Sequence, residues 1–209
     1  MTRCVIIGGA RIQDYGRARA YLRPGDFAVY CDCGLDHMEG LGKAPDLIVG
    51  DFDSHPHPAL PAETIALPRE KDDTDTVFAV KEALRRGYEE FLLLGVIGGR
   101  LDHTLGNVSI LLMLDSLGKR AMALDDYGEF TVVSREPAFV PDRFAYFSLL
   151  NVDGLARNVT IRGAKYPLEG AEITSEYQYG VSNEPLPGQI ARITVGEGRL
   201  LLMKVAAGA

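Results

Sequence analysis

The chain has 209 residues, 46% of them hydrophobic and 24% charged, which suffices for one large domain or two small ones with real cores and excludes a disordered tail protein. Acidic residues outnumber basic ones by 29 to 22, for a formal net charge of -7. No Lys/Arg run interleaved with aromatics offers a track for a phosphate backbone, so nucleic acid is not an expected partner.

The first apolar run, Cys4-Val5-Ile6-Ile7, is far shorter than a signal-peptide core, and no stretch approaches the roughly 18 apolar residues of a membrane span. The expectation is a soluble, cytoplasmic protein without membrane contact. Cys4, Cys31 and Cys33 form an odd set, and the Cys31-Asp32-Cys33 spacing fits neither zinc sites nor the redox C-x-x-C pattern, so buried, reduced thiols are expected.

Up to residue 124 or so the chain repeats one theme, a short apolar run, a turn, then an amphipathic stretch. Strands are predicted at Cys4 to Ile7, Phe27 to Cys31, Leu47 to Val49, Thr64 to Leu67, Phe91 to Ile97 and Ala121 to Leu124. Helices are predicted at Asp14 to Leu22, Thr74 to Arg86 and His103 to Leu117. Alternation of this kind argues for an α/β fold with an open, mostly parallel, Rossmann-like sheet and flanking helices. After Asp125, prolines and glycines break up short β-like runs at Phe144 to Leu150, Asn158 to Arg162, Gly188 to Val195 and Arg199 to Val205. This half reads as a smaller antiparallel β-sandwich or barrel, of which the sandwich is expected. The boundary falls near residues 125 to 135 and divides the chain into 1–126 and 127–209.

Ligands of open α/β sheets collect where strands end, and carboxylates recur there. After Leu47-Ile48-Val49-Gly50 come Asp51-Phe52-Asp53-Ser54; in extended backbone Asp51 and Asp53 point to one face and can hold a hard cation together. Gly50 permits close backbone approach. The next strand leads into Lys71-Asp72-Asp73-Thr74-Asp75, where Asp72 and Asp75 are expected on one face of a first helical turn; plain helix capping is the competing explanation. A third strand end supplies Gly98-Gly99-Arg100-Leu101-Asp102-His103, whose glycines, helix N-terminus and arginine fork suit phosphate oxygens, against the alternative of an Arg100 to Asp102 surface pair with His103 as helix cap. Gly8-Gly9 and Arg11 form either a further loop for phosphate or base, or a simple turn. The chain has no P-loop and no G-x-G-x-x-G, so any nucleotide is held by another device. His37, and His55 and His57 in a proline-stiffened turn, are read as having no ligand role. Acidic metal ligands with an arginine and glycine-rich turns suit phosphoryl or pyrophosphoryl transfer.

These motifs resemble the thiamine pyrophosphokinase family. The matching pieces are Asp32 with Gly34, Gly50 to Ser54, Lys71 to Asp75, Gly98 to His103, Gly163-Ala164-Lys165-Tyr166-Pro167-Leu168 and Gly180-Val181-Ser182-Asn183-Glu184, in the family's order from about residue 30 to 184. The resemblance implies an N-terminal domain that binds ATP, a C-terminal domain that helps bind thiamine, and a homodimer with active sites at the subunit interface. It implies Mg²⁺ held by Asp51, Asp53 and Asp75, with Asp72, Arg100 and Asp102 completing the catalytic set. It places Asp32, Ser54, Lys71, Thr74, Gly99 and His103 among the substrate-binding residues, and in the second domain Tyr166, Ser182 and Asn183. The expected reaction moves a pyrophosphoryl group from ATP to the thiamine hydroxyl and releases AMP, with Asp72 and Asp102 as candidate bases.

Two departures stand out. Asp32 is flanked by cysteines where the family more often has small residues, and the chain has no tryptophan, so Tyr166 is the residue that could stack on the cationic substrate. Three rival readings remain: a phosphatase of the haloacid-dehalogenase type with Asp51 as nucleophile and Asp125-Asp126 as metal acids, a nucleotide-sugar transferase, and a metal or thiamine sensor without turnover.

Overall fold

Uninterrupted apolar runs need burial on both faces, and the first unit of the chain, Met1–Asp126, provides it. The computed structural model describes residues 3–52 and 60–208. In it β1 (Cys4–Ile7), β2 (Phe27–Cys31), β3 (Leu47–Gly50), β4 (Glu63–Ala66), β5 (Glu90–Leu94) and β6 (Arg120–Leu124) pair in parallel in the order β4-β3-β2-β1-β5-β6. One face, with Val5, Ile7, Tyr30, Ile48, Leu92 and Leu94, is covered by Ala18 of α1 (Tyr15–Ala20), Leu35 of a 3₁₀ turn (Asp32–His37) and Leu41 of α2 (Met38–Leu41). On the other side α3 (Asp75–Arg85) packs on β1, β2 and β3, and α4 (Leu101–Ser116) on β6 and α3. Helix α3 buries Ala79, Val80 and Ala83, the spacing of one helical stripe.

Local chemistry sets the element ends. The Asp14 carboxylate accepts from the Arg17 N–H and starts α1, and Thr74 does the same for α3 through the Val77 N–H. Asp72 therefore precedes the helix and is exposed, so it does not share a first helical turn with Asp75 as the spacing suggested. Strand β5 stops at Leu94 rather than Ile97, because Gly95, Gly98 and Gly99 turn the chain with φ of 60°, 105° and 68°. The 3₁₀ turn and α2 are too short to show a period in sequence.

The winding leaves β1 between β2 and β5: the chain runs outward through β2, β3 and β4, then returns to the opposite side for β5 and β6. Such a reversal opens a crevice at the carboxyl ends of β1 and β5.

The second unit, Tyr127–Ala209, is built from antiparallel strands. β7 (Gly128–Val133), β13 (Leu200–Ala206) and β9 (Phe144–Leu150) pair in that order. β11 (Leu168–Thr174), β10 (Leu155–Arg162), β12 (Ile190–Thr194) and β8 (Ala138–Pro141) form a second sheet. Alternate residues of both sheets, among them Phe147, Leu149, Leu200 and Leu202 from one and Val159, Ile161, Ala191 and Ile193 from the other, share one core, which makes the unit a β-sandwich. β7, β8 and β11 lack a clean alternation in sequence; β11 carries Gly170 at φ 60° and a shifted register against β10.

Candidate functional site

At the crevice, backbone packs on backbone. The Gly8 N–H donates to the Leu94 carbonyl at 2.9 Å and the Ala10 N–H to that of Gly95 at 2.8 Å. A Cβ on Gly8 would lie 2.6 Å from the Gly95 oxygen, so the glycine is required for this approach. The loops bound a cleft of about 540 Å³ lined by Gly8 to Arg11, Asp32, Asp51, Thr74 to Thr76, Gly98 to Arg100, His103 and Asn107.

Carboxylates gather on one side of it. The register Cys31↔Val49 brings the residue after β2 beside the end of β3, and the missing side chain of Gly50 makes room: a Cβ there would meet that of Asp32 at 3.2 Å. Asp32 and Phe52 hold left-handed backbone, φ 40° and 54°, a conformation uncommon for residues with a side chain. Oxygens of Asp32, Asp51 and Asp75 lie within 4.8 Å of one another. Asp32 is only 9% exposed; its Oδ2 accepts from the Cys33 thiol at 3.4 Å, and its Oδ1 has no hydrogen-bond partner among the described residues. The Lys71 ammonium pairs with Asp51 and stands 3.0 Å from Asp75 Oδ1.

The electrostatics follow from this crowding. Burial raises the Asp75 carboxyl above its ordinary range, with the charges of Asp51 and Asp32 adding to it and Lys71 opposing it. Burial alone would lower the Lys71 ammonium, but its hydrogen bonds to Asp51 and Asp75 carry it upward. The Cys33 thiol is pushed up to about 11 by burial and by its bond to Asp32, so it stays protonated at neutral pH. Three carboxylates facing one ammonium, with a buried oxygen left unpartnered, form a donor set suited to a hard divalent cation. Asp53 and Ser54, like His55 and His57, lie outside the described residues.

The family resemblance implies Asp32 among the substrate contacts, and the structure brings its carboxylate together with those of Asp51 and Asp75. The grouping depends on β2 and β3 being neighbours and on the space left at Gly50.

The glycine turn after β5 forms the other flank. The Thr104 hydroxyl accepts from the Gly98 N–H at 3.0 Å, and Asn107 Nδ2 donates to the Val96 carbonyl at 2.7 Å, fixing the turn on α4. Arg100, not His103, occupies the N-cap position. Arg100 and Asp102 form an exposed pair at 2.6 Å, and this bond holds the Asp102 carboxyl down at about 2. Gly99, Arg100 and His103 line the cleft; Asp72 and Asp102 do not. Asp126 accepts from the backbone N–H groups of Gln13 and Asp14, at 2.8 to 3.1 Å, which ties it to the loop after β1.

In the second unit Asn183 is buried, and its side chain organises two loops. Its Oδ1 accepts from the N–H of Tyr166 (3.0 Å) and Glu184 (2.9 Å), and its Nδ2 donates to the Tyr166 carbonyl at 2.7 Å. Tyr166 is thereby held with 57% of its surface exposed, and the Lys165 ammonium lies 5.6 Å from its ring centre. Ser182 adopts φ 57°, and its N–H donates to the Ser148 hydroxyl. The structure thus brings Tyr166 and Asn183 into contact and leaves Ser182 beside them in strained backbone.

Residues 18–123 match the family model described as thiamin pyrophosphokinase, catalytic domain, and residues 132–200 match that described as thiamin pyrophosphokinase, vitamin B1 binding domain. A thiamine pyrophosphokinase of Bacillus subtilis is 28% identical over 168 residues, covering 73% of this chain and 75% of that one. The solved structure of the Bacillus subtilis thiamine pyrophosphokinase superposes with a TM-score of 0.86 at 24% identity, covering 99% of this chain and 100% of the other. That of the Geobacillus thermodenitrificans enzyme gives 0.83 at 26%, covering 100% and 99%. The yeast enzyme still gives 0.70 at 13% identity, covering 98% and 86%. The two matched segments span both units, and the chain belongs to the thiamin pyrophosphokinase family of enzymes.

Proposed function

We propose that this chain transfers the pyrophosphoryl group of ATP, with Mg²⁺, to the hydroxyl of thiamine, giving thiamine diphosphate and AMP. The observation that carries the reading is the cluster of Asp32, Asp51 and Asp75, with its unpartnered buried oxygen, inside a glycine-walled cleft at the sheet's switch point. Bound there, Mg²⁺ supplies charge neutralisation on the transferred phosphates. Asp32, Asp51 and Asp75 would hold it, with Asp53 as the fourth acid of the motif.

The remaining steps rest on this chain's own residues. Gly98 and Gly99 leave backbone open to phosphate oxygens, and Arg100, once exchanged from Asp102 to the nucleotide, neutralises the transferring group. Lys71 holds the carboxylates together against their repulsion. Asp72 and Asp102, the candidate bases, do not line the cleft. A loose transition state asks little of a base, so positioning carries the step. Tyr166 offers an exposed aromatic face to a cationic ring, positioned by Asn183, with Ser182 beside it.

The reading extends to a cytoplasmic homodimer with active sites at the interface. Support comes from three free thiols and from Leu101 and Leu105, 69% and 58% exposed one turn apart on α4. Incubation of the chain with Mg-ATP and thiamine, with the products separated, is expected to yield thiamine diphosphate and AMP in equal amounts. Formation of ADP would refute it.

A further inference from the structure

The strand order sorts the charges of the cleft. Asp32 and Asp51 follow β2 and β3, and Asp75 follows the β4 crossover, whereas the loops after β1 and β5 carry Arg11 and Arg100. The two arginines are not equivalent. Arg100 is committed to Asp102 at 2.6 Å. Arg11 is exposed, lines the cleft, and makes no ion pair among the described residues.

The loop that carries Arg11 is fixed at both polar groups of the preceding residue. The Ala10 N–H donates to Gly95 O at 2.8 Å, and the Ala10 carbonyl receives His37 Nε2 at 2.9 Å. A carbonyl only accepts, so Nε2 carries a proton, and Nδ1 lies in hydrogen-bond contact with the Tyr15 hydroxyl at 2.8 Å. His37 is 6% exposed, and its partners Ala10 and Tyr15 are half-buried. A Cβ on Gly9 would lie 2.7 Å from that of Cys33, which seats the loop against the segment bearing Asp32. Building a buried histidine relay and two close-packed glycines beneath an unpaired surface arginine makes sense if the direction of that arginine matters.

We propose that Arg11 is a nucleotide-binding residue that grips the phosphate chain of ATP from the flank facing the carboxylates, and that His37 is its positioning residue. This rests on the proposed function and adds the group that holds ATP before Arg100 is released from Asp102.

The test measures Mg-ATP and adenosine binding at equilibrium, with steady-state kinetics, for wild type, Arg11→Gln, Arg11→Lys, His37→Gln and His37→Leu. Arg19→Gln, an exposed change of equal charge elsewhere on the unit, is the control. Arg11→Gln is expected to weaken ATP binding by about 10- to 100-fold, the value of a charge-assisted contact. It should leave adenosine binding and the KM for thiamine unchanged. Arg11→Lys should recover part of the loss, since the ammonium keeps the charge without the fork. His37→Gln, whose amide can still donate to the Ala10 carbonyl, should keep a near-normal KM for ATP, while His37→Leu should raise it with kcat less affected. ATP binding by Arg11→Gln equal to that of wild type, or an equal loss of ATP and adenosine, would overturn the proposal. A wild-type chain that binds ATP but forms no thiamine diphosphate would refute the proposed function while the binding comparison still decides the role of Arg11.

Discussion

The two units solve opposite problems with their polar groups. At the strand ends of the first, carboxylates are crowded together and one buried oxygen is left without a partner. In the second, the buried amide of Asn183 is bonded at both its oxygen and its nitrogen, and what it presents outward is an aromatic ring. The first arrangement spends stability on a ligand that must neutralise it; the second uses satisfied hydrogen bonds to aim a surface residue. Loss of a polar group should therefore damage activity without stability in the first unit, and stability before activity in the second.

The sharpest break of that contrast is Asp51→Asn. Turnover should fall by more than about a hundredfold, since charge neutralisation at phosphate contributes several kcal/mol. Near wild-type kcat in a steady-state assay would remove Asp51 from the metal set. In the second unit, Asn183→Ala should destabilise by about 1–3 kcal/mol, read as a lower denaturant midpoint, because backbone groups of Tyr166 and Glu184 lose their partners. Tyr166→Ala removes only the presented ring. It should raise the KM for thiamine by about 2- to 30-fold, leaving kcat and stability near wild type.

How far these contrasts could be read from sequence differs between the halves. The first unit's strands are uninterrupted apolar runs, so β1 and β2 are predicted with their observed ends, and carboxylates after β3 and before α3 mark the crevice. Sequence alone does not show that Asp32 joins Asp51, since that depends on β2 and β3 being neighbours and on Gly50 yielding space. Nor does it show that His37, read as having no ligand role, anchors the β1 loop, because the partner is a backbone carbonyl 27 residues away. In the second unit β11 escapes detection because Gly170 and a shifted register erase the period-two pattern. The matched motifs imply Asn183 among the substrate-binding residues, but its hydrogen bonds to the backbone of Tyr166 and Glu184 are not legible in them.

The smallest predicted effect lies along α3. Arg85 and Arg86 hold the Glu82 carboxyl at about 2, below its ordinary 4.5, while burial raises that of Asp75 on the same helix. The lowered group contributes stability that is present above about pH 4.5 and lost as pH falls toward 2. The raised group behaves oppositely, since protonation relieves its buried charge as pH falls. Carboxyl NMR titration should find Asp75 titrating above Glu82, and the reverse order would contradict the assigned environments.

Divalent-cation binding to the unliganded chain, followed with Mn²⁺ as the probe for wild type and Asp32→Asn, bears most directly on the central claim. Asparagine tolerates the left-handed backbone at this position, so the change removes a charge with little disturbance. Wild type is expected to bind saturably and Asp32→Asn far more weakly, with a denaturation midpoint that holds or rises as carboxylate repulsion is relieved. Equal Mn²⁺ affinity in the two proteins would contradict the claim.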